Sequence, residues 1–264
     1  MEIPVHDVAV GEVESTRFSR REVQIWRVWL SATESALAYY RATLSLNERN
    51  RAERFRFENL KSRYIVGRGA LRVILAHYLG CRPKDIEFIY GEKGKPALRG
   101  MSSVRFNVSH SADMGLYAFT LDCEVGVDVE QLREVDDLEA IASRFFCAAE
   151  ASELLSLGLA DRGAAFFRCW TRKEAYVKAI GDGLSIPLDR FQVTLLPRDP
   201  ARFVHIAGDV QAAVGWTLHN LDLAPEYVGA LAYRDTPRPT KLRPAVGAEQ
   251  LPLILGSGFR EKHG

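Results

Sequence analysis

Strand-like and helix-like segments occur twice along the chain in a similar order, and this pattern limits the folds available to it. Strands are predicted at 24–30, 85–90, 104–109, 115–120, 125–130, 192–195, 203–206, 215–221 and 228–233. Helices are predicted from Thr33 to Leu44, from Ser45 to Gly80, and at about 137–145, 148–157 and 161–180. Short strands joined by tight turns form antiparallel sheets, so the sequence predicts an α+β fold.

The same order divides the chain into two halves and a tail. We predict an N-terminal half at 1–123, a C-terminal half at 124–234 and a tail at 235–264. The tail contains several prolines and glycines, and this composition is typical of an extended wrap or of partial disorder.

The composition excludes several classes of protein. The chain has 264 residues, 35 Lys and Arg against 34 Asp and Glu, and 47% hydrophobic residues, whereas disordered chains combine low hydrophobicity with high net charge. The balanced charge argues against a protein that coats nucleic acid. The first residues lack signal-peptide features, no apolar run approaches the ~20 residues of a membrane span, and the four cysteines show no zinc-ligand spacing. We therefore expect a cytoplasmic protein without nucleic-acid or membrane partners.

The segment Val125–Glu130 carries the sharpest functional signal. In a strand its valines face one side, while Gly126, Asp128 and Glu130 share the other. Gly126 would allow another element to approach closely, and the two carboxylates lie roughly 7 Å apart. A solvent-facing strand with acidic positions is the plain alternative.

A helical segment at 170–178 supplies a further carboxylate and a lysine. Glu174 and Lys178 lie four residues apart, on one helix face. This spacing is also typical of an ordinary helix salt bridge.

Other segments offer groups that bind phosphate. FNVSHS at 106–111 places hydroxyls and His110 at the end of a strand, where a histidine is more often structural. GEKGKP at 91–96 is a basic, glycine-rich turn that does not match a Walker loop. The arginine-dense region at 49–72 also offers basic side chains, although such a run is usually a solvated helix face.

Together these groups are complementary parts of one site. Carboxylates gathered around a point repel one another by ~4 kcal/mol per pair at 4 Å and an effective dielectric of about 20. A divalent cation between them removes this cost, and Mg²⁺ typically combines carboxylates with substrate phosphates. The basic groups would then bind the rest of a polyphosphate.

Five ordered motifs resemble those of the 4′-phosphopantetheinyl transferases, in the larger, monomeric, surfactin-synthetase-activating (Sfp-like) branch. They are RYIVGRGALR at 63–72, GEKGKP at 91–96, FNVSHS at 106–111, VGVDVE at 125–130 and WTRKEAYVKAIGDGLS at 170–185. The similarity covers about residues 45–195 and extends more loosely to 234.

The resemblance implies two similar α+β halves related by a pseudo-twofold axis, with coenzyme A bound between them. It also implies transfer of the phosphopantetheine arm of coenzyme A to a serine of an apo carrier protein of the acyl, polyketide or peptidyl type. Adenosine 3′,5′-bisphosphate would be released.

The resemblance further implies roles for individual residues. Asp128, Glu130 and Glu174 would bind Mg²⁺, for which Mn²⁺ could substitute. Coenzyme A would contact Arg54, Tyr90, Gly94, Lys95, Pro96, Asn107, Ser109, His110 and Lys178, with Lys178 on the pyrophosphate and His110 on the 3′-phosphate.

The catalytic residues implied are Glu150, Lys178 and His110. A serine hydroxyl needs a base, for which Glu150 is the first candidate and Lys178 the alternative. Because carrier proteins are typically acidic around the modified serine, we expect basic and apolar groups at 111–120 and 145–170 to receive them. Met114, Phe146 and Leu154 are examples.

Two other functions remain open from the residues alone. A metal-dependent phosphohydrolase acting on coenzyme A-like or nucleotide substrates would use the same carboxylates with water as the nucleophile. An RNA-binding module would use the arginine-rich region and would be indifferent to Asp128 and Glu174.

Overall fold

The computed structural model describes residues 19–100, 102–181 and 186–256. The N-terminal part contains β1 (Val23–Trp29), α1 (Glu34–Thr43), α2 (Leu46–Ala52), α3 (Glu58–Leu79), β2 (Phe88–Tyr90), β3 (Pro96–Leu98), β4 (Val104–Ser111) and β5 (Met114–Leu121). The end of the predicted block at 170–185, residues 182–185, lies outside the described residues.

The second part repeats strand and helix in a comparable order. It contains β6 (Val125–Gln131), α4 (Leu138–Phe145), α5 (Ala148–Ser156), α6 (Leu159–Ile180), β7 (Phe191–Val193), β8 (Phe203–Ile206), α7 (Val210–Val214), β9 (Thr217–Leu221) and β10 (Tyr227–Tyr233). After it come β11 (Thr240–Val246) and α8 (Gln250–Gly256). The predicted α+β class is confirmed.

Two sheets form the centre of the molecule. One has the order β11-β1-β5-β4 and the other β6-β10-β9, and the β1–β11 pair is parallel while the other pairs are antiparallel. One apolar core packs α3 on the first sheet, another packs α6 on the second, and a third lies between the sheets. Val125, Val127 and Val129 point into this third core, as the strand pattern predicts. The pseudo-twofold relation and the domain boundaries stay predictions.

The described part of the tail, residues 235–256, contains an extended strand followed by a helix. Its strand β11 pairs with β1, and Val246, Leu251 and Leu255 enter the core beneath α3. The hydroxyl of Tyr40 donates to the carbonyl of Ala248 at 2.7 Å. These contacts attach the segment 240–256 to the N-terminal sheet.

The long helix predicted from Ser45 to Gly80 is two helices. It begins as predicted, because the Ser45 hydroxyl accepts from the Glu48 amide and the Glu48 carboxylate accepts from the Ser45 amide. It ends at Gly80, whose φ is 67°. The break after Ala52 lets α2 fold back on α3, so that Glu48 reaches Arg68 and Arg72.

The strand predicted at 85–90 is also shorter than expected. Pro83–Asp85 form a single 3₁₀ turn, and the strand begins at Phe88. Proline at the start of the turn fixes its backbone and removes a donor, which favours the turn over the strand. Among the described residues, none of the helices has the length and apolar character needed to cross a membrane.

Candidate active site

Helix α6 lies directly on strand β6, and this contact sets the geometry of the candidate site. Gly126 makes it possible, because a Cβ there would collide with the carbonyl oxygen of Ala175 and the amide of Ala179. The prediction that Gly126 allows a close approach is therefore confirmed. Glu174 and Lys178, one helical turn apart on α6, line the same cavity as Asp128.

One cavity of about 690 Å³ collects the side chains that were separate in the sequence. Its lining includes Ser109, His110, Asp128, Glu130, Glu174 and Lys178. The rest of the wall comes from Arg144, Phe145, Trp170 and the segment 186–189. The strand pair β4–β6 and the helix α6 thus bring the acidic, basic and hydroxyl groups together.

Lys178 is held in this cavity by two of the other groups. Its Nζ lies 2.5 Å from Asp128 Oδ1 and donates to Ser109 Oγ at 2.9 Å. The Ser109 hydroxyl in turn donates to Asp128 Oδ1 at 2.8 Å. The ammonium group is therefore fixed in the cavity and bonded across to β4 and β6.

One oxygen of Asp128 and one of Glu174 have no hydrogen-bond partner among the described residues. Asp128 Oδ2 and Glu174 Oε1 are buried and accept no hydrogen bond from the described residues. Burial raises the pKa of both carboxyls, although Lys178 and Ser109 oppose the rise at Asp128. The charge of Asp128 further raises the pKa of Glu174. Buried carboxylate oxygens of this kind require a ligand to satisfy them.

The unpartnered oxygens fit a hard divalent cation such as Mg²⁺, which typically binds proteins through one or two carboxylates. With the side chains as they stand, the described residues contain no group of three or more His, Cys, Asp and Glu arranged to hold a metal. Glu130 differs from the other two acids, since its Oε2 accepts from Ser111 Oγ at 2.9 Å and from Arg133 Nη1 at 3.1 Å. The donor set thus fits a cation at Asp128 and Glu174, with Glu130 beside them.

His110 lies at the cationic side of the cavity. The residue as a whole is exposed, but its ring loses water in the cleft, and this loss is the main reason that its pKa is lowered. The positive charges of Lys178 and Arg63 lower the pKa of His110 further. A phosphate group bound here would interact favourably with Lys178 and with the His110 ring.

Glu150 does not reach this cavity. The side chain is 0% exposed, its Oε1 accepts from the amide of Val193 at 2.8 Å, and its Oε2 accepts from the amide of Cys147 at 2.9 Å. Its Oε2 also forms an ion pair with Lys173 Nζ at 2.7 Å. In this arrangement Glu150 joins α5, α6 and β7, and its carboxylate is not placed to accept a proton directly from a serine in the cavity.

The residues expected to bind the nucleotide line two further cavities. Arg54 and Tyr90 line one of about 950 Å³, while Tyr90, Lys95 and Pro96 line another of about 960 Å³. Tyr90 therefore stands between them. Its hydroxyl accepts from Arg68 Nη2 at 2.6 Å, which fixes the ring.

Three other expected contacts are used within the protein. Lys95 Nζ donates to the carbonyl of Ala179 at 2.8 Å and pairs with Glu124 at 2.9 Å. Gly94, with a φ of 82°, belongs to the turn between β2 and β3. Asn107 is buried, and its Oδ1 accepts from the amide of Val127 at 3.0 Å.

The example residues for the carrier-protein surface need correction. Met114 and Leu154 are 0% exposed and Phe146 is 3% exposed, because all three side chains belong to the apolar cores. They cannot contact a partner. The neighbouring Phe145, on the outer side of α4, is exposed and lines the cavity.

Sequence reasoning missed the roles of Ser111 and Lys173. Ser111 contacts Glu130, and Lys173 donates to the carbonyls of Leu188 and Phe191 at 2.8 and 2.6 Å. The alternation of Asn107, Ser109 and Ser111 in an apolar strand was a signal for the first. The second had none, since a lysine in a helix is usually exposed.

Two models of known protein families match the chain. The profile of the 4′-phosphopantetheinyl transferase superfamily matches residues 124–232, and that of the 4′-phosphopantetheinyl transferase N-terminal region matches residues 27–120. The two matched regions meet where the two sheets meet, so the candidate cavity draws residues from both.

Individual relatives agree with this assignment. The 4′-phosphopantetheinyl transferase HetI of Nostoc sp. is 41% identical over 208 residues, which cover 78% of this chain and 84% of the relative. The transferase Sfp of Bacillus subtilis is 33% identical over 58% of this chain and 66% of the relative, and psf-1 of Bacillus pumilus is 38% identical over 58% and 64%. The chain belongs to the 4′-phosphopantetheinyl transferase family, with relatives that include Sfp itself.

Proposed function

We propose that the protein transfers the 4′-phosphopantetheine group of coenzyme A to a serine of an apo carrier protein. The serine oxygen forms a bond to the β-phosphorus, the bond from that phosphorus to the bridging oxygen breaks, and adenosine 3′,5′-bisphosphate leaves. Family membership supports the reaction, while the roles of individual residues are our proposal.

The observation that carries the proposal is the cavity between β4, β6 and α6. It combines two unpartnered buried carboxylate oxygens, on Asp128 and Glu174, with the cationic Lys178 and the imidazole of His110. Anionic groups that bind a metal beside cationic groups that bind phosphate are what a diphosphate substrate requires.

Each of these residues has a distinct task in the proposal. Asp128 and Glu174 would hold Mg²⁺, with Glu130 as the third carboxylate. Bound Mg²⁺ would supply charge stabilisation at the pyrophosphate oxygens. Lys178, fixed by Asp128 and Ser109, would donate to the phosphate that gains negative charge as the bond breaks.

The nucleotide of coenzyme A would extend from this cavity toward the arginine-rich side. We assign His110 to the 3′-phosphate, Tyr90 to the base and ribose, and Arg54 to a more distant phosphate contact. Tyr90 is exposed and held by Arg68, so its ring is available for stacking. Lys95 reaches the nucleotide only by leaving Glu124.

The proton of the serine hydroxyl needs an acceptor near the cavity. Of the two candidate bases, Lys178 lies in the cavity and Glu150 does not. Lys178 is thus the candidate within direct reach, and it would accept the proton only as the neutral amine, donating to the phosphate after it has become an ammonium.

The mouth of the cavity offers a surface for the carrier protein. Arg144 and Phe145 lie at the end of α4, and Arg144 supplies a positive charge for an acidic partner. Arg144→Glu should weaken modification of the carrier and leave coenzyme A affinity intact. An equal loss of both would show that this surface does not receive the carrier.

A mass-shift assay tests the function directly. The protein is incubated with coenzyme A, Mg²⁺ and a panel of apo carriers of the fatty-acid, polyketide and peptide types, and intact masses are measured. At least one carrier should gain the phosphopantetheine arm, on the serine and nowhere else. Carriers whose serine is replaced by alanine are the control.

The comparisons give no support to the alternative phosphohydrolase, and the same assay separates it. A hydrolase would release adenosine 3′,5′-bisphosphate at the same rate without a carrier, and no carrier mass would change. That outcome would overturn the proposal.

A further inference from the structure

Strand β4 bonds to strand β6 through side chains in place of a backbone ladder. Three alternate residues of β4 each accept from an alternate backbone amide of β6. The pairs are Asn107 Oδ1 with Val127 N at 3.0 Å, Ser109 Oγ with Val129 N at 3.4 Å, and Ser111 Oγ with Gln131 N at 3.0 Å. This polar seam, formed by Asn107, Ser109 and Ser111, is where the two sheets meet.

The two serines of the seam make a second kind of bond as well. Ser109 donates to Asp128 Oδ1 at 2.8 Å, and Ser111 donates to Glu130 Oε2 at 2.9 Å. The same arrangement therefore repeats two residues further along both strands. Each hydroxyl accepts from the amide that follows the carboxylate to which it donates.

This double bonding fixes the direction of each hydroxyl proton. A serine hydroxyl has one proton and two lone pairs. In Ser111 one lone pair is occupied by the Gln131 amide, so the proton points to Glu130. The carboxylate is thereby fixed to the backbone of its own strand through a residue of the other sheet.

We propose that Ser111 is a positioning residue that aims Glu130 at the cation held by Asp128 and Glu174. The inference rests on the proposed function, because it assumes that the cavity binds a divalent cation. Ser109 is a less selective case, since its oxygen also accepts from Lys178.

Arg133 contacts the same oxygen of Glu130 but controls it less. Its side chain is 57% exposed, whereas that of Glu130 is 22% exposed. Exposed ion pairs are weak and mobile, while the Ser111 hydroxyl is fixed from both sides. Ser111 therefore sets the orientation of Glu130.

Metal binding distinguishes positioning from a purely structural seam. Hydrogen-bond partners of ligating side chains typically contribute 10–100-fold to metal affinity. If Ser111 only joins the sheets, its loss lowers stability and leaves metal affinity unchanged. If it aims Glu130, its loss also weakens the metal.

The test is calorimetric titration of the full chain with Mn²⁺, with and without coenzyme A. Ser111→Ala should bind Mn²⁺ about 10-fold more weakly than wild type, and Ser111→Thr, which keeps the hydroxyl, should restore the affinity. The Mg²⁺ concentration for half-maximal transfer should rise by the same factor in Ser111→Ala. Thr120→Ala is the matched control, since Thr120 is a buried hydroxyl that donates to the carbonyl of Cys123, away from the cavity.

The outcomes separate the positioning role of Ser111 from the existence of the metal site. Equal Mn²⁺ affinity in Ser111→Ala and wild type overturns the positioning role, as does equal weakening in Thr120→Ala. A wild type that binds no Mn²⁺ in either state overturns the metal site itself. If Ser111→Ala does not fold, Ser111→Cys, which keeps the volume but donates weakly, gives the same test with the same expectation.

Discussion

Buried carboxylate oxygens in two regions of the protein are satisfied to different extents. In the N-terminal half, Glu48 has both carboxylate oxygens paired, to Arg68 at 2.5 Å and to Arg72 at 2.8 Å. In the candidate cavity, Asp128 and Glu174 each keep one buried oxygen without a partner among the residues that the structure describes. Their pKa values move accordingly: the bonds from Arg72 and Arg68 outweigh burial and lower the pKa of Glu48, whereas burial dominates and raises the pKa of Asp128 and Glu174.

This difference distinguishes an acidic side chain that stabilises the fold from one that can bind a ligand. A buried carboxylate with all its bonds made stabilises the fold, and a further ligand would have to break them. A buried carboxylate with an open oxygen costs free energy until something binds to it. Glu150, paired with Lys173 and two amides, belongs to the first class.

The largest expected effect is on transfer by Asp128→Asn and Glu174→Gln. Each variant removes a charge that attracts the cation, so kcat/KM in the carrier mass-shift assay should fall by at least about 100-fold, several kcal/mol in the barrier. Thermal unfolding of Glu174→Gln should show unchanged or higher stability, because the neutral side chain has no buried charge to desolvate, whereas Asp128→Asn also loses the ion pair with Lys178. Glu34→Gln, at an exposed acid of α1, is the control. Near wild-type transfer by either variant in Mg²⁺-replete buffer would show that the carboxylate in question does not bind a cation needed for transfer.

Glu150→Gln should give the opposite pattern. Removing one partner of a buried ion pair leaves Lys173 uncompensated and typically costs about 3–5 kcal/mol, measured here by urea unfolding. The kcat of the folded protein at saturating substrates should stay within about threefold of wild type, since the carboxylate lies outside the cavity. A loss of kcat with unchanged stability would restore Glu150 as the base.

A smaller effect is expected at His110. His110→Ala removes a contact to phosphate, so the KM for coenzyme A should rise about 10-fold while kcat changes little. The comparison substrate is dephospho-coenzyme A, which lacks the 3′-phosphate. Wild type should prefer coenzyme A, and the variant should lose that preference. A variant that keeps it would place the 3′-phosphate elsewhere.

The smallest effect is a pair of opposite pH dependences in metal-free buffer. The lowered pKa of Glu48 means that its contribution to stability is complete above its unfolded pKa of about 4.3 and is lost as the pH falls through the folded value. The raised pKa of Glu174 means that the folded protein binds this proton more tightly, so stability is lost as the pH rises through the folded value.

Urea unfolding from well below pH 4 up to pH 8 covers both effects, because the Glu48 contribution changes only below its unfolded pKa of about 4.3. The stability deficit of Glu48→Gln should shrink toward acid pH, while Glu174→Gln should gain on wild type as the pH rises, each by on the order of 1 kcal/mol. If the stability difference from wild type changes with pH in the same direction for both variants, the ionisation of the two acids affects stability in the same way.

Much of the fold followed from local pattern. The alternation at 125–130 placed the valines in the core and the acids on the other face, and Ser45 with Glu48 marked the start of α2, as the structure shows. The break between α2 and α3 was not predicted, because no glycine or proline marks it. It depends on the distant pairs of Glu48 with Arg68 and Arg72.

The residues of the candidate site likewise divide into those that the sequence predicts and those that it does not. Asp128, Glu174 and Lys178 could be chosen from spacing and motif, since strand and helix periodicity determine which side chains share a face. The position of Glu150 could not be predicted, because the sequence does not distinguish an acid buried beside Lys173 from an acid that is open to a cleft. The prediction that Met114, Phe146 and Leu154 contact a carrier protein was wrong for the same reason. An apolar residue in a sequence can lie in the core or on an exposed surface, and these three lie in the core.

By itself the sequence determined which residues alternate, where α2 begins and α3 ends, and which family the motifs resemble, because these depend on neighbours a few positions away. Only the tertiary structure decided that the seam side chains of β4 bond to the backbone of β6, and that one buried acid is fully paired while others keep an open oxygen. Those properties depend on which distant groups share a small volume, and hydrogen-bond satisfaction is settled there rather than along the chain.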